Sequence, residues 1–81
     1  MTLLQIQYAV ECARYGSITK AAQKLFTSPP NLSKSIRSLE EELGFPIFLR
    51  DNDGIRLTAK GNNFLEHAVT ILTEIESMGN L

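Results

Sequence analysis

Apolar side chains recur at helical spacing in the first part of the chain, with one interruption at Gly16. Thr2 and Gln5 stand three residues apart at the start of this pattern, which is the capping-box arrangement of a helix N-terminus. The first helix is therefore expected to end near Tyr15, because Gly16 favours a helix end. Ser17 can cap a short second helix that runs from Ile18 to about Phe26.

A third run has the clearest division into an apolar and a polar side. Ser28 is placed to cap this helix, and Pro29 would occupy its first helical position. Gly44 can end it in the left-handed conformation, and Pro46 prevents it from resuming. Its apolar positions fall within about 60° on a helical wheel, and they are Leu32, Ile36, Leu39 and Leu43.

Two short runs with β character, Ile47–Arg50 and Ile55–Leu57, flank the polar segment Asp51–Gly54. An Asp-Gly pair between such runs predicts a β-hairpin. Thr58 can then cap a fourth helix from Ala59 to about Met78, with a length of about 30 Å. The expected fold class is mainly α, with three helices and a two-stranded hairpin followed by this long C-terminal helix.

An apolar stripe follows the fourth helix over most of its length. It can pack against the domain alone, or it can extend past the domain and pair with a second copy. We favour pairing, because three short helices cannot cover a stripe about 30 Å long. The first helix has a second stripe, with Leu4 and Tyr8 among its members, which also predicts a contact outside its own core. The stripe of the fourth helix consists of Phe64, Leu65, Ala68, Ile71, Leu72, Ile75 and Met78.

Composition excludes several classes of protein. Eighty-one residues with one cysteine, Cys12, indicate a single small domain without an internal disulfide or a Cys/His zinc cluster. We expect a cytoplasmic protein without a membrane partner, because both a long apolar run and a secretory signal pattern are missing. The only histidine, His67, has no nucleophile arranged with it, and phosphate-binding glycine motifs are absent. We therefore expect no enzymatic activity, no cofactor and no metal site.

The net charge of −1 hides a segregation of charge along the chain. Residues 1–39 hold five basic side chains against Glu11 alone, a net charge of +4. Residues 40–81 hold three basic and eight acidic side chains, a net charge of −5. The first half can thus present a basic surface to a polyanion, although the whole domain attracts DNA over long distances more weakly than a uniformly basic one.

The polar side of the third helix has side chains that suit double-stranded DNA. Lys34 and Arg37 can reach guanine or phosphate oxygens, whereas the short side chains of Asn31 and Ser33 allow close approach to base edges. Pro29-Pro30 stiffens the helix start, where free N–H groups and a partial positive charge favour anions. An ordinary solvated helix surface is the alternative interpretation of the same residues.

The hairpin offers two further candidate contacts to DNA, Arg50 and Arg56. A hairpin beside a recognition helix can follow the DNA backbone or enter the minor groove. Arg50 can equally pair with a nearby carboxylate. The tip carries Asp51 and Asp53, which repel phosphates, so the tip itself is a poor groove reader.

Several short groups of residues between Leu3 and Gly61 form a combined pattern that is more specific than one helix-turn-helix motif. They are Gly16-Ser17-Ile18 with Ala21-Ala22 and Leu25; Leu32-Ser33-Lys34 with Ile36, Leu39-Glu40 and Leu43-Gly44; Ile47-Phe48 with Arg50; and Leu57-Thr58 with Gly61. In these residues the chain resembles the N-terminal DNA-binding domain of LysR-type transcriptional regulators.

This resemblance implies a winged helix-turn-helix DNA-binding domain in residues 1–58 and a dimerising linker helix in residues 59–81. It also implies a homodimer on a pseudo-palindromic site in double-stranded DNA. A small-molecule effector would bind a C-terminal domain that is absent from this chain. The partner's linker helix would cover the second stripe of the first helix, and the implied dimer contacts are Leu4, Tyr8, Leu65, Ala68, Ile71, Leu72 and Ile75.

The resemblance also implies a role for each candidate DNA contact. Major-groove contacts would come from Pro30, Asn31, Ser33 and Lys34, and phosphate contacts from Arg37 with Thr27 or Ser28. The family commonly has a base-contacting glutamine where this chain has Pro29, and a basic residue near the position of Asp53. Arg50 and Arg56 would then supply the contacts of the wing.

Two other interpretations compete with this one. A winged helix can serve as a protein-interaction or dimerisation module that binds no DNA, as the acidic second half of the chain and the acidic hairpin tip allow. A winged-helix regulator from another family, such as a molybdate-responsive type, is the third interpretation.

Overall fold

The computed structural model describes residues 1–80 and shows the predicted order of elements in that part of the chain. The helices and strands are α1 (Leu3–Tyr15), α2 (Ile18–Lys24), α3 (Pro29–Leu43), β1 (Phe48–Asp51), β2 (Gly54–Leu57) and α4 (Ala59–Gly79). The mainly α class with one two-stranded hairpin is confirmed. Leu81, the last residue of the predicted linker segment, lies outside the described residues.

Local capping residues set most of the helix boundaries. Thr2 forms a complete capping box with Gln5, and Ser17, Ser28 and Thr58 each accept a backbone N–H from the third residue that follows. Such a cap stabilises a helix by about 1 kcal/mol. Gly16 and Gly44 end α1 and α3 in the left-handed conformation, with φ of 62° and 82°.

The second helix is shorter than predicted, because it ends at Lys24 rather than near Phe26. Phe26 adopts φ of 56°, and the N–H of Thr27 donates to the carbonyl of Ala22 at 3.0 Å. This is a Schellman-type helix end, in which the left-handed position usually holds glycine. Here a phenylalanine fills it, and its side chain is 97% exposed. The turn between α2 and α3 therefore carries a fully exposed aromatic ring.

The core lies between the first three helices, the start of β1 and the first half of α4. Its buried side chains are Ile6, Ala9, Cys12, Ala21, Ala22, Leu32, Ile36, Leu39, Ile47, Phe48, Leu65 and Ala68. Two small residues of α2, Ala21 and Ala22, allow that short helix to approach its neighbours closely. Over residues 1–80, none of the helices combines the length and apolarity needed to cross a membrane.

The two strands pair antiparallel, in a register that runs from Phe48 opposite Leu57 to Asp51 opposite Gly54. The predicted Asp-Gly turn is displaced by one residue, because Gly54 already belongs to β2 and has the positive φ of 124°. A Cβ on Gly54 would lie 2.6 Å from the carbonyl oxygen of Gly16. That oxygen accepts the N–H of Ile55 at 3.3 Å. The hairpin, called the wing below, thus rests on the end of α1.

Three hydrogen bonds and one close approach fix the wing between α3 and α4. The Oε2 atom of Glu40 accepts the backbone N–H groups of Ile47 at 2.7 Å and Phe48 at 3.2 Å. On the other side, the N–H of Thr58 donates to the carbonyl of Ile47 at 3.0 Å. A Cβ on Gly61 would lie only 2.0 Å from the same carbonyl oxygen, so any larger residue there must displace the backbone. The backbone at the start of the wing is therefore held on one side by the Glu40 carboxylate of α3 and on the other side by the backbone at the start of α4.

Candidate DNA-binding surface

The recognition-helix candidate α3 has three sides with different surroundings. Its buried side carries Leu32, Ile36 and Leu39. A second side faces the wing with Ser33 and Glu40, which stand seven residues and thus about two turns apart. The third side, called the α3 front below, is exposed and consists of Pro30, Asn31, Lys34, Arg37, Ser38 and Glu41.

The start of α3 lacks the free backbone donors that the sequence suggested. Pro29 and Pro30 have no N–H, so two of the first-turn donors do not exist. The N–H of Asn31 donates to the Oγ of Ser28 at 3.2 Å, and that of Leu32 donates to the carbonyl of Ser28 at 3.0 Å. The partial positive charge of the helix start remains, but the N–H groups of positions 29 to 31 are missing or used, so an anion there depends mainly on side chains.

Two cations of the α3 front are available to a polyanion. Lys34 and Arg37 are exposed, and neither forms an ion pair within residues 1–80. Asn31 is exposed beside them, close to the N-terminal end of the helix. Side chains of this kind, on the outward side of a helix whose other side is buried, can enter the major groove without disturbing the core.

Ser33 and Arg50, two predicted DNA contacts, are brought together by the fold. Nη1 of Arg50 donates to the Oγ of Ser33. Arg50 therefore pairs with a hydroxyl group of α3 rather than with a carboxylate. Ser33 is half-buried on the side of α3 that faces the wing, so it does not belong to the α3 front.

Arg56 lies on the opposite face of the wing from Arg50, because paired residues of a hairpin share a face and neighbours alternate. Its Nη2 donates to Oδ2 of Asp51 at 3.0 Å, and both side chains are largely exposed. The Oδ1 atom of Asp51 accepts the N–H of Asp53 at 2.9 Å. The outer face of the wing is thus partly neutralised by its own ion pair.

The remaining two predicted contacts to phosphate lie in the turn before α3. Thr27 is half-buried, and Ser28 is exposed. The Oγ of Ser28 already accepts the N–H of Asn31 as the helix cap. Its hydroxyl proton is still available for donation to a phosphate oxygen, since a serine hydroxyl is one donor and two acceptor sites.

Two of the predicted dimer contacts lie in the core of their own protomer. Leu65 and Ala68 are only 7% and 2% exposed on the first half of α4. Little of either side chain is therefore left on the surface of one protomer for a partner, and their role as dimer contacts stays a prediction. Periodicity places them on one stripe with Ile71 and Ile75, but it does not show where the domain ends along the helix.

The second half of α4 carries the rest of the predicted dimer contacts. Ile71 and Ile75 are exposed, and they form one line with Met78, which is 66% exposed. Leu72 is half-buried in a groove of about 560 Å³ between α1, α2 and α4. On α1, Leu4 is exposed and Tyr8 is half-buried. No residue of α4 from Val69 to Gly79 is buried in the described chain.

The thiol of the buried Cys12 has a perturbed pKa. Burial raises the pKa of the Cys12 thiol from 9.0 to about 11, while the positive charge of Arg50 acts in the opposite direction. The thiol is therefore protonated and unreactive at neutral pH. Among residues 1–80, no group of three His, Cys, Asp or Glu side chains is arranged to hold a metal ion.

Two residues that the structure makes prominent had no structural role assigned to them from the sequence. Glu40 stands in a run of three glutamates, and only its spacing of seven residues from Ser33 and its place after the buried Leu39 distinguish it from its neighbours. Phe26 follows an apolar leucine and thus extends the pattern of α2. Its exposure depends on the left-handed backbone, which the sequence does not reveal.

A comparison of the sequence with protein families and with curated proteins identifies known regulators that are similar to this chain. Residues 3–62 match the model of the family described as "Bacterial regulatory helix-turn-helix protein, lysR family". The Hca operon transcriptional activator HcaR of Escherichia coli (strain K12) is 43% identical over 77 residues, which cover 95% of this chain and 26% of HcaR. The chain spans about a quarter of the length of such curated relatives.

Solved structures agree with this similarity. The complex of the CbnR DNA-binding domain with DNA matches at a TM-score of 0.93 and 35% identity, over 99% of this chain and 92% of that one. The complex of the BenM DNA-binding domain with catB site 1 DNA matches at a TM-score of 0.94 and 35% identity, over 99% and 90%. The family match covers well over half of the sequence, and the chain therefore belongs to the lysR family of bacterial regulatory helix-turn-helix proteins.

Proposed function

We propose that this chain binds specific sequences in double-stranded DNA as the DNA-binding domain of a transcriptional regulator. The observation that carries the proposal is the α3 front, where the unpaired cations Lys34 and Arg37 lie beside Asn31 on the exposed side of a helix whose opposite side is buried. The match to two domains that were solved as DNA complexes supports the same function. HcaR and other relatives are transcriptional regulators.

Within this proposal, α3 enters the major groove with its N-terminal half. Asn31 and Lys34 would contact base edges, and Pro30 would give apolar contact to a thymine methyl group. Arg37 would bind phosphate together with the hydroxyl groups of Thr27 or Ser28, because Pro29 and Pro30 have no N–H and that of Asn31 is used by the cap. Base recognition would then depend on side chains alone.

We also propose that two copies pair through the second half of α4. Residues 1–58 would form the DNA-binding unit, and residues 59–81 the linker that dimerises. Ile71, Ile75 and Met78 supply an exposed apolar line, which a second copy can cover with its own identical line around a two-fold axis. Leu72 would extend this contact on α4, and Leu4 and Tyr8 would extend it onto α1. Two recognition helices would then face successive major grooves of a pseudo-palindromic site.

The proposed function involves no catalysis. A regulator of this type would meet its DNA in the cytoplasm. A small-molecule effector would bind a further C-terminal domain, because the relatives are about four times as long as this chain. No cofactor or metal is part of the proposed binding reaction.

DNA binding is tested by selection of a preferred site from random double-stranded DNA, followed by titration at several salt concentrations. Affinity should fall linearly with salt on a logarithmic scale. Lys34→Ala should weaken binding by about 1–3 kcal/mol if the side chain makes a good base contact, and Arg37→Ala should weaken binding on all sequences, because it removes a phosphate contact. Arg14→Ala is the matched control, since it removes a cation that pairs with Glu11 and lines the groove beside α4.

Two results would contradict the proposed DNA binding. One is a failure to select any sequence above random, which would favour a protein-interaction module. The other is unchanged affinity in both α3 variants when the Arg14 control is also unchanged.

The dimer is tested by sedimentation of the wild-type chain and of Ile71→Asp. A carboxylate in the apolar line should shift the population to monomer. Thr70→Asp is the control, because Thr70 is an exposed neighbour whose side chain lies about 100° from Ile71 around the helix. A monomeric wild type would contradict the proposal.

A further inference from the structure

The pair of Ser33 and Arg50 joins the recognition helix to the wing. Arg50 stands on β1 two residues after the buried Phe48, so its side chain shares the face of the wing that is turned toward the domain. Its guanidinium donates to the Oγ of Ser33. The start of β1 is fixed to the same helix by Glu40, whose carboxylate accepts the N–H of Ile47. The position of Arg50 relative to α3 is therefore set by its own bond to Ser33 and by the bond between the backbone at the start of β1 and Glu40.

We propose that Ser33 reads no base but holds Arg50, and that Arg50 in this position binds one phosphate group of the DNA backbone beside the bases at the α3 front. This inference rests on the proposed DNA-binding function. Phosphate is the chemistry that suits an exposed guanidinium, which presents several donors in a planar fork. Arg50 has five N–H donors, and the bond to Ser33 uses one of them.

The direction of the Ser33 side chain argues against base contact. Successive residues of a helix are about 100° apart, which turns Ser33 away from the neighbouring Lys34 at the centre of the α3 front. Ser33 as a residue is half-buried, and its oxygen already accepts the bond from Arg50. The Ser33 hydroxyl keeps a proton to donate, but a side chain that turned from the wing toward the α3 front would give up a bond to a charged partner, and such bonds are the stronger ones.

The availability of Arg50 supports a phosphate contact. No ion pair within residues 1–80 involves Arg50, whereas Arg56 on the other face of the wing is engaged by Asp51. Arg50 is thus the wing cation with free charge. Its charge also acts on the Cys12 thiol, whose pKa it lowers against the effect of burial, which is consistent with a guanidinium held near the body of the domain.

The test uses the wild-type chain and the variants Ser33→Ala, Ser33→Thr, Arg50→Gln and the double variant Ser33→Ala/Arg50→Gln. Thermal unfolding first establishes that each variant folds. Affinity is then titrated on the selected site, on every single-base-pair substitution of that site, and at several salt concentrations. Ser33→Thr is the conservative control, because threonine retains the hydroxyl acceptor for Arg50.

Arg50→Gln should weaken binding about tenfold on all sites, since it removes a charge-assisted bond to phosphate. It should also reduce the magnitude of the salt slope by about 0.9. Ser33→Ala should weaken binding by a smaller factor, about threefold, that is equal for every base substitution. In the Arg50→Gln background, Ser33→Ala should have no further effect, because the residue that it positions is gone. Ser33→Thr should bind like the wild type.

Three outcomes would overturn the inference while the wild-type chain still binds its selected site. The first is a loss of discrimination at one base pair in Ser33→Ala, which would make Ser33 a base reader. The second is a double variant whose affinity loss equals the product of the two single losses. The third is a Ser33→Ala variant with wild-type affinity. A wild-type chain that selects no site would instead overturn the proposed function itself.

Discussion

Replacement of Asp51 by asparagine should strengthen DNA binding. The Oδ2 atom of Asp51 accepts from Arg56 at 3.0 Å, and its Oδ1 atom accepts the N–H of Asp53 at 2.9 Å. Asparagine keeps an oxygen for the N–H of Asp53 and thus preserves the turn. It removes the negative charge that faces incoming phosphates and the charged partner that engages Arg56.

The magnitude follows from the exposure of this pair and from the salt dependence of phosphate contacts. The side chains of Arg56 and Asp51 are 74% and 42% exposed, so their ion pair contributes only about 0–1 kcal/mol and its loss costs little stability. A freed Arg56 that reaches one phosphate should increase the magnitude of the salt slope by about 0.9. When the salt concentration falls from about 200 to about 50 mM, the affinity of Asp51→Asn for DNA should therefore rise by a factor that is roughly 3.5-fold larger than that of the wild type.

The assay is a titration of the selected DNA site at several salt concentrations with the wild type and Asp51→Asn. Asp53→Asn is the matched control, because it removes a carboxylate from the same tip without releasing an arginine. Its effect on affinity should be the smaller one. The double variant Asp51→Asn/Arg56→Gln should lose the gain.

Two results would refute this reasoning. Unchanged affinity and salt slope in Asp51→Asn would show that the outer face of the wing stays away from the DNA backbone. A gain that persists in the double variant would show that the removed negative charge, rather than Arg56, produces the effect.

Other features of the fold give further predictions. Gly61→Ala should reduce the free energy of unfolding by about 3 kcal/mol, measured by urea denaturation, because its Cβ would meet the carbonyl of Ile47 at 2.0 Å. Gly79→Ala, with nothing within 4 Å, should change it by less than about 1 kcal/mol, and equal effects of the two variants would contradict the predicted clash. Phe26→Asn should stabilise the fold by about 1 kcal/mol, because asparagine tolerates the left-handed backbone and the lost ring is exposed; a lower melting temperature would reveal a contact of that ring. The Cys12 thiol should react with a thiol reagent at pH 8 roughly 100-fold more slowly in the folded than in the unfolded chain, because its pKa rises from 9.0 to about 11; rapid labelling of the native chain would refute this. Because the pKa of Cys12 is higher in the folded chain than in the unfolded chain, the contribution of this thiol to the free energy of unfolding is complete below pH 9 and is lost between pH 9 and about 11. Cys12→Ala should not show this loss of stability.

Helix boundaries could be predicted from the sequence because caps act over three or four residues. Thr2, Ser28 and Gly44 hold their predicted places, since each satisfies groups within its own helix turn. The end of α2 was misplaced because the conformation of Phe26 depends on bonds back to the helix, and nothing in a phenylalanine itself indicates a left-handed backbone.

The extent of the core along α4 could not be predicted from periodicity. Leu65 and Ile71 belong to one stripe, yet only the former is buried. The stripe shows which side of the helix is apolar. The point at which α4 passes beyond the domain depends instead on the sizes and positions of the other helices, which are tertiary properties.

The side-chain contacts of the wing depend on the register of its two strands and on the face of the hairpin that each side chain occupies. The sequence specified neither. Opposite charges at Asp51 and Arg56 were visible, but only the observed pairing of Asp51 with Gly54 brings them to one face. The lack of free N–H groups at positions 29 to 31 of α3, in contrast, could have been deduced by counting. Two prolines and a serine cap leave no donor in the first turn.

The three sides of α3 predict three separable classes of variant. A substitution on the buried side, such as at Ile36, changes the free energy of unfolding, because it creates a cavity. A substitution on the side that faces the wing, at Ser33, changes the position of Arg50 and so alters affinity equally for all sequences. Only the α3 front, with Asn31 and Lys34, can change which base pair is preferred. A helix that served merely as a solvated surface would show the first class without the other two, so the separation itself distinguishes DNA recognition from simple exposure.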